Sequence, residues 1–372
     1  MRPEAIAALL PFLADHAANP TGGHAAAREA KTALEEAREI VAAQCGCRPH
    51  EVVFTGGGSE SDNLAVKGAA YAARSRTAEL DGIVTSGIEH KAVLGACARL
   101  EREGFRVTRI PGRTTGVIDL DALRAAIDER TAVVSVMLVN NETGTRQPLD
   151  EIAAIVREHS PRAVVHTDAV QAPQWTDIAR AAAGIDLVSL SGHKFGGPKG
   201  VGVLIAREGT DLVPLIEGGG HEHGLRAGTQ NVAGIVAFAT ALRVTGETRA
   251  IETARIASLR DRLERGLTAE VRDVVVNGDR ELRVSGLLHC SFEGVEAETL
   301  LVGLDQQGVM AAAGSSCSSG AIDPSHVLLA MGMPRERALS SIRFSLGYAS
   351  TEADVDTALA VVPEVVAKLR VA

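Results

Sequence analysis

Residues 186–200 read D-L-V-S-L-S-G-H-K-F-G-G-P-K-G. Positions 187–190 make a short apolar strand of the kind a covered sheet buries. The chain then runs through Ser191, Gly192, His193 and Lys194 into a Gly/Pro-rich turn. A lysine just past a buried strand end can be a loop residue whose stem covers apolar surface while its head reaches water. It can also be a lysine held in a pocket, made nucleophilic by desolvation and able to form a Schiff base. What the other strand ends carry separates the two.

Upstream, the same unit recurs. Strands are expected at 52–54, 83–85, 105–110, 132–139, 163–167, 187–190 and 201–206, alternating with helices at 60–73, 89–102, 120–127 and 149–158. Two helices precede them, at 3–14 and 25–44, the second with an apolar stripe through Ala30, Leu34, Ala37 and Val41. Short apolar strands alternating with helices give an α/β fold whose mostly parallel sheet is covered by helices. In such sheets ligands bind beyond the carboxyl ends of the strands. The loops leaving these strands carry Ser59, His90, Asn141, Asp168, Gln171, Ser191, His193 and Lys194. One site assembled from distant segments is therefore expected. After a Gly-rich segment at 217–229 and a long helix at 231–267 the rhythm changes. Strands follow near 274 and at 287–292, with helices at 297–307 and 351–369. A boundary near residue 248 divides the chain into a large domain, 1–248, whose first residues link to the other, and a smaller α+β domain, 249–372.

Composition narrows the function. Of 372 residues 45% are hydrophobic and 23% charged, which is globular rather than disordered or fibrous. Aromatic residues make up 3% and the net charge is −9, so neither a stacking platform for single strands nor a basic face for duplexes is visible. Direct nucleic-acid binding is not expected. The five cysteines, Cys45, Cys47, Cys97, Cys290 and Cys317, are too few and too scattered for a disulfide framework. Cys45-Gly46-Cys47 lacks the second cluster that a zinc site needs, and no metal is expected. No apolar run reaches membrane-spanning length. The start, M-R-P-E-A-I-A-A-L-L-P-F-L-A-D, fits an amphipathic helix better than a secretory signal, so a cytoplasmic protein is expected.

Three strand ends carry the chemistry. Thr55-Gly56-Gly57-Gly58-Ser59 joins a strand to a helix, where free N–H groups and a hydroxyl favour an anion. It lacks the Lys-Ser/Thr of a P-loop and the spacing of a dinucleotide fingerprint. Asp168, in V-V-H-T-D-A-V-Q, is a carboxylate at a buried strand end that calls for a partner such as a protonated ring nitrogen. It can equally cap the following segment. With Lys194 these form the parts of a pyridoxal-phosphate site: an anion cup, an acid for a ring nitrogen and a lysine for an aldehyde.

Nine stretches then match one family in order. They are N-P-T-G-G-H (19–24), F-T-G-G-G-S-E-S-D-N (54–63), E-H-K-A-V (89–93), V-N-N-E-T-G (139–144), H-T-D-A-V-Q (166–171), S-G-H-K-F-G-G-P-K-G-V-G (191–202), G-L-R-A-G-T (224–229), G-S-S-C-S-S-G (314–320) and S-I-R-F-S-L-G (341–347). Over nearly its whole length the chain resembles the cysteine desulfurases of the class V aminotransferase-like group, within the fold-type-I pyridoxal-phosphate enzymes. The resemblance implies that Lys194 binds pyridoxal 5'-phosphate covalently and moves protons. It implies that Asp168 pairs with the pyridine nitrogen, and that His90 stacks on the ring and serves in acid/base steps. Gln171 and Asn141 would bond the phenolic oxygen region, with Asn141 also near the substrate carboxylate. Gly58, Ser59, Ser191 and His193 would hold the phosphate, and Thr229 would complete the cup of a neighbouring subunit, implying a homodimer. Arg343 would bind the carboxylate of L-cysteine. Cys317, between small polar residues, would be the nucleophile that takes the sulfur as a persulfide and passes it to an acceptor protein, with alanine released.

The stretch after Cys317, G-A-I-D-P-S-H-V-L-L-A-M-G (320–332), resembles the group I enzymes with their extended nucleophile loop. Two departures stand out. The family pattern begins upstream with D-x-A-A-T-T, past which this sequence starts, and some group I members carry a longer tail that docks a scaffold protein. The motifs leave open a selenocysteine lyase, another C–S lyase on the same cofactor, and a non-catalytic dimeric scaffold. They also leave open whether the sulfur serves iron–sulfur assembly, transfer-RNA thiolation or DNA phosphorothioation.

Overall fold

The computed structural model describes residues 1–314 and 323–371. Cys317 lies outside them. Two compact units are formed. The first holds Met1–Ile110, Leu120–Leu138 and Pro148–Arg249, and the second holds Pro111–Asp119, Val139–Gln147 and Ala250–Ala372.

Within the first unit, β1 (Val52–Thr55), β2 (Gly82–Ser86), β3 (Arg106–Ile110), β4 (Thr131–Ser135), β5 (Val164–Asp168), β6 (Leu187–Ser191) and β7 (Gly202–Ala206) form one sheet in the order β1-β7-β6-β5-β4-β2-β3. The run from β3 to β6 is parallel, and β7 is antiparallel to both of its neighbours. Strands β2, β4, β5 and β6 are buried at every position, as their apolar runs require when helices cover both faces. Val53, Ile83, Val133 and Leu204 pack with Leu64, Val66, Val93 and Leu100 in one core cluster. Each such side chain contributes about 1.5–3 kcal/mol by leaving water. The edge strand β3 is largely exposed and carries Arg106 and Arg109, which pair with Asp81, Asp128 and Glu101. Charges there discourage pairing with a further strand.

The glycine turn after β1 depends on a close approach. Gly57 has φ 147°, and a Cβ on Gly202, at the start of β7, would lie 2.5 Å from the Gly57 carbonyl carbon. Bare backbone at both positions lets the turn fold over the sheet edge. The helical stretch that follows covers 58–76 but passes through a π-type turn at Leu64–Gly68.

Within the second unit, β8 (Val274–Val276), β9 (Leu287–Phe292) and β10 (Ser341–Ser345) form an antiparallel sheet in the order β10-β9-β8. Helices Ala297–Gln306 and Glu352–Val371 belong to this unit. A single boundary near residue 248 misses two insertions. Residues 139–147 join the second unit because Arg146 N–H donates to the Leu282 carbonyl and Val284 N–H to that of Gly144. Residues 111–119 do so in part because Gly112 N–H donates to the Ala330 carbonyl. The helix Val232–Glu270 is itself divided between the units after Arg249. Among the described residues no helix is long and apolar enough to cross a membrane.

Candidate active site

In the first unit the ends of β1, β5 and β6 bring the expected anion cup together. A Cβ on Gly58 would lie 2.7 Å from Val170 Cγ2 and 3.3 Å from Ser191 Cβ, so glycine lets the helix start press against the ends of β5 and β6. Ser59 is exposed there. Ser191 Oγ and His193 Nδ1 are 3.0 Å apart. Burial and the nearby Lys194 and Lys199 charges lower the His193 pKa, which leaves a neutral ring beside the hydroxyl. The turn is braced from behind. Gly56 N–H donates to Glu60 Oε2 at 2.8 Å, and Arg226 Nε donates to Glu60 Oε1 at 3.0 Å.

Asp168 ends β5 and is 4% exposed. Its Oδ1 accepts the Val170 N–H at 2.9 Å, the capping role the sequence allowed. Burial nevertheless raises its pKa, against the Val170 bond and the charges of His90 and Lys194. One donor atom each of Asp62, His90 and Asp168 lies within 4.8 Å of the others. His90 caps the helix Lys91–Arg102, its Nδ1 accepting the Ala92 N–H at 3.2 Å. That bond leaves Nε2 to carry the ring proton.

Lys194 closes a 3-10 turn, Gly192–Lys194, directly after β6. Its backbone is held on both sides. Gln174 Nε2 donates to the Lys194 carbonyl, and the next residue, Phe195, is fully buried edge-on to Phe238 with ring centroids 5.1 Å apart. Lys194 itself is half-buried. Gln171 is half-buried in the turn after β5. Thr229 is exposed at the end of a segment that the buried Glu222 pins: Glu222 accepts from Arg38, from the Phe54 N–H and from Gln230.

Asn141 lies further along the loop that leaves β4. β4 stops at Ser135, and Asn141 sits in the second unit with Arg343. The Arg343 guanidinium donates to the Asn141 carbonyl at 2.6 Å, and its backbone pairs in both directions with Ala312. Burial lowers the Arg343 pKa and the Glu142 carboxylate opposes the shift. Asn141 Oδ1 is buried without a hydrogen-bond partner. Glu142 is fully buried, and its Oε2 accepts from Ser325 Oγ at 2.5 Å.

Sequence reasoning missed Asp62, Glu89, His166, Glu142 and Ser325. For Asp62 a signal existed. It falls on the buried helical stripe of Ala65, Val66 and Ala69, where an acid is out of place. Glu222, among glycines and histidines, offered none.

The residues fit pyridoxal phosphate on this structure's own terms. A glycine-lined helix start meets two strand ends beside hydroxyl groups. A buried carboxyl whose proton affinity is raised awaits a cation, and a half-buried lysine stands on a fixed turn. A parallel sheet with that arrangement at its carboxyl edge defines a class of enzyme rather than one reaction. Residues 1–358 match the class-V aminotransferase family, and the chain belongs to it. Its relatives narrow the class. It is 41% identical over 371 residues to a protein named cysteine desulfurase IscS from Clostridium botulinum, covering 99% of this chain and 92% of that one. It is 44% identical over 356 residues to an IscS-like cysteine desulfurase of Mycobacterium tuberculosis, covering 95% and 90%. A solved NifS-like protein superposes with a TM-score of 0.92 at 35% identity, over 99% of this chain and 96% of that one.

Proposed function

We propose that the protein is a pyridoxal-phosphate-dependent cysteine desulfurase, acting in the cytoplasm as a homodimer and handing sulfur from L-cysteine to an acceptor protein. The observation that carries this reading is the buried Asp168, with His90 beside it, at the sheet edge from which Lys194 also emerges. It supplies an acid for a ring nitrogen and a lysine for an aldehyde on one rigid scaffold.

The bound cofactor would supply an electron sink that labilises bonds at the substrate α-carbon. The chain's own residues do the rest. Gly58, Ser59, Ser191 and His193 would hold the phosphate, with Thr229 serving the cup of a partner subunit. Asp168 would hold the ring nitrogen in its protonated form. His90 would stack on the ring and serve in acid/base steps, and Gln171 would bond the phenolic oxygen. Lys194 would hold the aldehyde carbon and could carry a proton at Nζ. Arg343 and Asn141 take the substrate carboxylate, the guanidinium through two parallel N–H bonds. The Cys317 thiolate attacks the substrate sulfur. The carbon–sulfur bond breaks, its electron pair stays with the carbon skeleton, and protonation there gives alanine. The transferred sulfur remains on Cys317 as a persulfide.

The other cysteines support giving this role to Cys317. Burial pushes the Cys45 thiol far up, and those of Cys47, Cys97 and Cys290 to about 11, 12 and 12. All four stay protonated near neutrality, and the thiolate is the nucleophile. The test is to measure alanine and sulfide from L-cysteine under a thiol reductant. Equal yields are expected from the wild type and neither from Cys317→Ser; persistent turnover in Cys317→Ser would rule out the persulfide route.

A further inference from the structure

Beneath Asp168 lies a second buried carboxyl that the mechanism above does not use. Asp62 is 1% exposed, on the helix Gly58–Asn63 that follows the glycine turn. It faces the middle of β5 and of β6, at His166 and Ser189. His166 of β5 has Nε2 at 3.7 Å from Asp62 Oδ1, beyond hydrogen-bond reach. That Nε2 is already bonded to Ser189 Oγ at 3.0 Å, and Nδ1 to Ser135 Oγ at 2.8 Å. Burial lowers the His166 pKa to about 3, so the ring is neutral and offers Asp62 no charge.

The other groups around Asp62 are unequal. Asp168 acts on it as a like charge, as Glu89 does once it ionises, Ser189 contributes a hydroxyl hydrogen bond, and His90 stands within the same 4.8 Å cluster. Its Oδ1 has no hydrogen-bond partner. Asp168 instead accepts a backbone N–H, and the nearby His90 and Lys194 both favour its charged form. Two carboxyls this close and this buried do not both ionise, and the one with the better partners keeps the charge.

We propose that Asp62 is a proton-bearing positioning residue: it stays a neutral carboxylic acid behind Asp168, so that one negative charge, on Asp168, faces the ring nitrogen. The idea rests on the role given above to Asp168. A protonated Asp62 lets the Asp168 carboxylate persist in a dry site without a second charge beside it. When Asp62 loses its proton at alkaline pH, a second charge appears next to the first and the ring nitrogen is held more tightly in its protonated form.

Infrared difference spectra of the cofactor-loaded protein test this, taken in a Glu89→Gln background because burial also holds the Glu89 carboxyl protonated up to about pH 8. At neutral pH the background protein is expected to show a carboxylic-acid carbonyl band that Asp62→Asn removes. The absorption spectrum and affinity of the cofactor should stay unchanged at that pH, since a neutral amide replaces a neutral acid. On alkaline titration the protein with Asp62 should show a cofactor absorbance transition that Asp62→Asn lacks. Absence of the acid band before substitution, or an altered neutral-pH spectrum in a folded Asp62→Asn protein, would overturn the proposal. The band is read before Asp62 is changed, so a variant that fails to fold does not remove the test. Asp168→Asn reports separately on the underlying reading. If it leaves cofactor affinity and absorption intact, the role of Asp168 fails, whatever the Asp62 band shows.

Discussion

In the first unit, Ser59, His90, Asp168 and Lys194 stand at or just past the ends of buried strands, and each position is fixed by a backbone that the sheet already holds. In the second unit, Asn141 and Glu142, Ser325, and Arg343 come from three separate segments, and only Arg343 lies within a strand. Their geometry rests on a few specific bonds: Arg343 to the Asn141 carbonyl, Ser325 to Glu142, and Asn140 Oδ1 to the backbone of Glu142 and Thr143. The contrast separates two ways of preorganising a site. A strand end fixes direction through many ladder bonds, so one lost side chain leaves the frame intact. A corner held by side-chain bonds should feel the loss of any one of them.

The largest expected effect is in the first unit. Lys194→Ala should lower turnover by at least about 1000-fold while thermal unfolding stays near wild type, because the turn is held by Phe195 and Gln174. Steady-state kinetics and a melting curve check this; a large drop in melting temperature would break the contrast. In the second unit, Arg343→Lys should raise the KM for cysteine by roughly 10- to 100-fold, with a smaller change in kcat. An ammonium cannot reproduce the forked contact, and the KM/kcat split distinguishes ground-state binding from chemistry. Next comes Ser325→Ala, which leaves a buried Glu142 oxygen without its hydroxyl donor. It should destabilise the protein by about 1–3 kcal/mol in denaturant titration, with cofactor affinity unchanged.

The smallest effect depends on pH. Glu89 is fully buried, with Oε1 accepting from Ser86 Oγ and the Met137 N–H, and burial raises its pKa to about 8. A carboxyl raised on folding holds its proton while the unfolded chain ionises. Its contribution is therefore intact below about pH 4.5 and is lost as pH rises towards 8. Glu89→Gln keeps both acceptor bonds and should melt like wild type near pH 5. It should melt progressively higher than wild type between pH 6 and 8, with the gap read from paired melting curves.

Much of the first unit was legible because one rule covers it. Apolar strands of period and length fitting a buried parallel sheet place their polar followers at one edge, so Asp168 and Lys194 could be grouped without coordinates. The strand after residue 131 was drawn too long for the same reason. Val136, Met137, Leu138 and Val139 are apolar and buried, and the Val136 and Leu138 N–H groups still donate to the His166 and Asp168 carbonyls, yet the strand itself ends at Ser135. Asn141 follows in that loop as expected, but its segment Val139–Gln147 belongs to the second unit through bonds to residues 282 and 284. The strand β10, S-I-R-F-S, was passed over as an element because its arginine interrupts a very short pattern. The buried acids Asp62 and Glu142 escaped notice because a carboxyl is read as surface by default, and only packing reveals the hydroxyls and amides around it.

The most direct test of the central claim is the intact mass of the protein after a single turnover with L-cysteine and no reductant. The account predicts a gain of one sulfur atom, located on the peptide containing Cys317, removed by reductant and matched by one alanine released. Alanine formed without any added sulfur on that peptide, or sulfur found on Cys45, Cys47, Cys97 or Cys290 instead, would contradict it.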